Sequence, residues 1–92
     1  MEKKIKMIAA ASEALKFLIA HPKSTDEEVI QYVTNFIMNE KIKDEDIKFG
    51  MIAAATETYK IFMQNSKMTE KEYLRKIMER IPIIIENSKS IN

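Results

Sequence analysis

The chain repeats itself at an offset of 44 residues. Met7-Ile8-Ala9-Ala10-Ala11-Ser12-Glu13 returns as Met51-Ile52-Ala53-Ala54-Ala55-Thr56-Glu57, and Lys23-Ser24-Thr25-Asp26-Glu27-Glu28 returns as Lys67-Met68-Thr69-Glu70-Lys71-Glu72. A repeat of this kind constrains the fold before any other argument. Whatever unit the first half forms, the second half forms too, and the two must bury their apolar faces against each other. The expected units are residues 1–44 and 45–92 of a single domain.

The pattern within each unit is helical. Helix 1, expected over 2–20, carries a stripe of Ile5, Ile8, Ala11, Leu15, Leu18 and Ile19, and His21-Pro22 ends it. Thr25-x-x-Glu28 is a capping box that opens helix 2, with Val29, Ile30, Val33, Phe36 and Ile37 along it. Asp44 is the expected N-cap of helix 3, over 45–64, with Phe49, Ile52, Ala55, Tyr59, Phe62 and Met63 on one stripe. Thr69-x-x-Glu72 repeats the capping box and opens helix 4, with Leu74, Ile77, Met78 and Ile81. Pro82 is expected to kink or end that helix, because it removes a backbone donor and crowds the previous turn.

One glycine and two prolines in 92 residues leave little material for sheet turns. The period would also suit a two-helix solenoid, but two such repeats are too few for a stable open stack. The sequence therefore predicts an all-α four-helix bundle made of two tandem helical hairpins with pseudo-twofold symmetry.

Composition narrows the chemistry. With no cysteine, disulfides, thiolate metal sites and thiol nucleophiles are excluded. A formal net charge of +1 supplies no bulk field toward nucleic acid or an anionic membrane. No apolar run approaches the roughly 20 residues of a membrane span, and the charged start Met1-Glu2-Lys3-Lys4 does not resemble a secretory leader. A cytoplasmic protein is expected.

His21, the lone histidine, sits before Pro22 at a helix end and reads as an exposed terminator. The Glu-x-x-His motifs of di-iron bundles, zinc-ligand spacings, Gly-rich phosphate loops and EF-hand loops are all missing. Glu13 and Glu57 recur as a pair, yet Lys16 and Lys60 stand three residues on as helical ion-pair partners. No catalytic, cofactor-binding or metal-ligating residue is assigned, and no cofactor is expected.

What remains is surface. Helices 1 and 3 carry apolar residues opposite the stripes given above: Ala10 and Phe17 in one, Ala54 and Ile61 in the other. Ile83, Ile84 and Ile85 cannot all face one core stripe. These seven residues form the expected contact surface of a small, non-enzymatic protein–protein interaction module that self-associates as a homodimer or binds another protein. The alternative is a helical nucleic-acid-binding or transcription-regulatory protein, supported by basic clusters at Lys3, Lys4 and Lys6 and at Arg75, Lys76 and Arg80. It is disfavoured because the starts of helices 2, 3 and 4 are acidic or mixed, and those ends would meet phosphates.

Overall fold

The computed structural model describes residues 2–65 and 67–89, with side chains through Asn87. Four helices follow one another: α1 (Glu2–Ala20), α2 (Asp26–Asn39), α3 (Glu45–Gln64) and α4 (Glu70–Lys89). No strand occurs among the described residues.

The starts of the helices are written in the sequence. The Thr25 hydroxyl accepts from the Glu28 N–H at 3.2 Å, and the Glu28 carboxylate accepts from the Thr25 N–H at 2.8 Å. Thr69 and Glu72 repeat this reciprocal pair at 3.2 and 2.9 Å. Asp44 caps α3 by accepting from the Ile47 N–H. At the end of α2, Lys41 takes a left-handed φ of 57°. The Lys41 N–H then reaches the Met38 carbonyl and the Ile42 N–H the Ile37 carbonyl, a Schellman closure.

Pro82 departs from expectation. α4 runs through it to Lys89. The missing N–H frees the Met78 carbonyl, but Met78 and Pro82 both lie on the exposed side of α4, where water can take that carbonyl. On the inner side, Ile77 and Ile81 are buried, and Ile84 and Ile85 pack against the same cluster. Burial before and after the proline holds the helix in line.

α1 and α3 form the central pair. Their N-terminal ends adjoin: Lys3 Nζ lies 2.9 Å from Asp46 Oδ1, and a Cβ placed on Gly50 would stand 2.9 Å from Lys3 Cε and 3.0 Å from Met7 Sδ. Glycine at this point lets the start of α1 lie closely across α3. α2 and α4 each contact both central helices and do not contact each other. The molecule measures 36 × 26 × 19 Å, and its thin dimension is that of two stacked helices.

The core divides into two clusters. One joins Ala10, Ala14 and Leu18 to Val29, Val33 and Ile37 of α2 and to Ile47, Met51 and Ala55 of α3. The other joins Met7, Ala11 and Leu15 to Ala54 and Ile61 and to Tyr73, Ile77 and Ile81 of α4. Small side chains at the centre allow the two backbones to approach, and the larger ones fill the flanks.

This arrangement overturns part of the expected facing. Ala10 and Ala54 are fully buried and Ile61 nearly so. They are core, not contact surface. Conversely, Ile5 is 61% exposed and Phe49 is 73% exposed, although both belong to the stripes expected inside. Met7, Leu15, Leu18 and Met51 fill the core beside the buried alanines of α1 and α3, and Ile5 and Phe49 are left outside.

Candidate interaction surface

At about 100° per residue, the side of α3 turned away from the core carries Phe49, Ile52, Ala53, Thr56, Lys60 and Met63, all half-buried or exposed. The corresponding side of α1 carries Ile5, Ile8, Ala9, Ser12, Lys16 and Ile19. These are the same positions of the repeat. Because α1 and α3 pack on each other, their outer stripes lie on opposite broad faces of the molecule.

Each stripe merges with a flanking helix. Ile52 and Tyr59 of α3 pack against the cluster that also takes in Val29, Val33 and Ile37 of α2. Ile8 and Leu74 pack against the cluster that contains α4, so the α1 stripe continues onto α4. The two faces differ in charge. From Val29 to Asn39 the sequence has no charged residue. The outward side of α2 presents Gln31, Thr34, Asn35 and Met38, with Gln31 donating to Asn35 at 3.2 Å and Met38 69% exposed. On α4 an open groove of about 730 Å³ is instead lined by Glu70, Lys71, Leu74, Arg75, Met78 and Glu79.

The residues expected at a contact surface are scattered by the fold. Ala10, Ala54 and Ile61 are in the core, as described. Phe17 is half-buried in the crevice between α1 and α2, stacked on Tyr32 at 4.7 Å and tilted against His21 at 5.1 Å. Ile84 and Ile85 are half-buried against the α4 cluster, and only Ile83 of the seven is exposed. The true outer surface was visible in the sequence as the repeated run of isoleucine, phenylalanine and methionine. Hydrophobicity alone assigned that run to the interior.

The repeated glutamates take different partners. Glu13 Oε2 lies 3.7 Å from Lys16 Nζ, and Glu13 Oε1 accepts from the Tyr32 hydroxyl at 3.3 Å. Glu57 pairs across the helices with Arg80 at 3.2 Å rather than along α3 with Lys60. Tyr32 and Arg80 therefore each reach a glutamate on a neighbouring helix. Among the described residues, no group of three or more His, Cys, Asp or Glu side chains is placed to hold a metal ion. Among the same residues no helix is long and apolar enough to cross a membrane.

One carboxylate is perturbed. The Thr69 backbone N–H, then the Thr69 hydroxyl and the charge of Arg75, hold the Glu72 carboxyl below its ordinary value of 4.5. This belongs to the helix cap, not to a reaction centre. Compared with family models, curated proteins and solved structures, the chain matches none.

Proposed function

We propose that this chain is a non-enzymatic helical interaction module of the cytoplasm that associates with copies of itself. The observation that carries this reading is the exposure of Phe49, Ile5, Met63 and Ile19 on the outer sides of the two central helices. A bundle of this size has enough apolar residues to close its core without them. Aromatic and methionine side chains gathered on an outer stripe are the composition of a contact surface.

The module is proposed to consist of two copies of one helical pair about an approximate twofold axis. Part of the core supports this: Val29, Val33 and Ile37 of one cluster correspond by the repeat to Tyr73, Ile77 and Ile81 of the other, and Met51 and Ala55 to Met7 and Ala11. The nucleic-acid alternative draws no support from this surface, whose α2 portion is uncharged.

Light scattering on the purified chain tests the reading. At tens of micromolar the expected mass is that of a dimer. A monomer at that concentration would refute self-association.

A further inference from the structure

We propose that two copies of this chain exchange halves: α1 and α2 of one copy pack on α3 and α4 of the other. The link between α2 and α3 then straightens into one continuous helix. This rests on the self-association proposed above and gives it a definite route.

The surface and its occupant are both on display within one chain. Each core cluster is built from both halves. One joins α1 and α2 to α3, and the other joins α1 to α3 and α4. The apolar side of either half is therefore fitted to the other half. A second copy carries the same half, so exchange recreates these contacts, and only the link must change.

The link is built to change. Lys41 holds a φ of 57°, and among the described residues no other non-glycine takes a positive φ. Glycine usually fills this place after a helix, because a side chain there is crowded. Continuing α2 into α3 relieves Lys41. The sequence permits it, since no glycine or proline lies between Pro22 and Gly50. The link between α1 and α2 holds Pro22 and cannot straighten in this way. What keeps the α2–α3 link closed is local: the Asp44 cap on the Ile47 N–H, and Lys6 Nζ lying 3.9 Å from Glu40. A continuous helix replaces the cap with ordinary helical hydrogen bonds.

Straightening also covers what the single chain leaves bare. Met38 and Phe49 flank the link and are 69% and 73% exposed. In one continuous helix Met38, Ile42 and Phe49 fall within about 40° of each other. Glu45 falls beside them, with Lys41 one turn before it as a helical ion-pair partner. Two such helices cross antiparallel where the exchanged copies meet. Met38 and Phe49 stand equally far on either side of the Lys43–Asp44 bond. A twofold axis there sets Met38 of one copy against Phe49 of the other, a favourable meeting of thioether and ring.

Two link substitutions push in opposite directions. The chain is annealed at high concentration near its unfolding midpoint, cooled, and measured by sedimentation equilibrium. Asp44→Ala removes the cap that only the closed link uses. It should raise the dimer association constant about thirtyfold, roughly fivefold for each of two links. Lys41→Gly eases the closed link and weakens the continuous helix, and should lower that constant by about thirtyfold or more. A dimer of docked, closed copies responds to neither. Spin labels on Gln31→Cys and Lys60→Cys, in a chain with no other cysteine, report the link directly. Doubly labelled chains are diluted in unlabelled ones. In the dimer the distance within a chain should be about 44 Å, that of 29 residues of helix. In the monomer it is much shorter, because α2 and α3 lie side by side. A dimer that keeps the short distance, or that both substitutions leave unchanged, overturns the exchange and leaves self-association standing. A wild type that stays monomeric overturns both. If Asp44→Ala loses helicity, Lys41→Gly and the distance decide.

Discussion

At the residue scale, the clearest physics lies in the caps. Thr25 and Thr69 each start a helix by the same reciprocal pair of hydrogen bonds, so each copy of the repeat carries its own start signal. Glu72 ties this geometry to pH. Its carboxyl titrates below the ordinary value in the folded chain, so the unfolded chain binds the proton more readily. The stabilisation is complete above the ordinary carboxylate range and is lost as pH falls through it toward the lowered folded value. Glu72→Gln should therefore flatten the acid side of the stability profile between about pH 6 and about pH 3, with little change in shape near neutrality. Thermal unfolding across that range checks it, and an unchanged acid slope would contradict it. Other residue-scale features were not legible. Nothing in the sequence says that Glu57 prefers Arg80 across the helices to Lys60 along its own, because that choice depends on where α4 lies.

At the scale of elements, all four helices and most of their ends could be read from caps, breakers and periodicity. On α2 and α4 one apolar side is clear, and Val29, Val33, Ile37, Ile77 and Ile81 are buried as the pattern predicts. On α1 and α3 the pattern misleads. These helices are apolar nearly all round, and the core takes Leu15, Leu18, Met51 and Ile61 while Ile5 and Phe49 stay exposed. Size decides the contact between two central helices: Ala10, Ala11, Ala54 and Ala55 permit close approach, and a larger residue would push the backbones apart. The alanine triplets were the available signal, yet sequence alone does not say which of their members are enclosed: Ala10, Ala11, Ala54 and Ala55 are buried, and Ala9 and Ala53 are only partly so. α4 shows a second override, because packing on both sides of Pro82 outweighs the local preference to stop. Pro82→Ala should raise stability by about 1–3 kcal/mol, since the side chain is exposed and a lost helical bond is restored. Urea unfolding measures this. A destabilised variant would mean that the proline is built into the packing of α4.

At the scale of the whole molecule, the central helices α1 and α3 each carry an outer apolar stripe at the same positions of the sequence repeat. The α1/α4 face keeps charged residues around Leu74 and Met78. On the other side, α2 has no charged residue from Val29 to Asn39, and Phe49 and Met38 are exposed. A contact between copies can be observed without altering the protein. In a sample mixing isotope-labelled with unlabelled chains, isotope-filtered spectra should show intermolecular contacts at the exposed side chains of Ile5, Ile19, Phe49 or Met63. The absence of intermolecular contacts, or their confinement to residues off both outer stripes, would contradict the account.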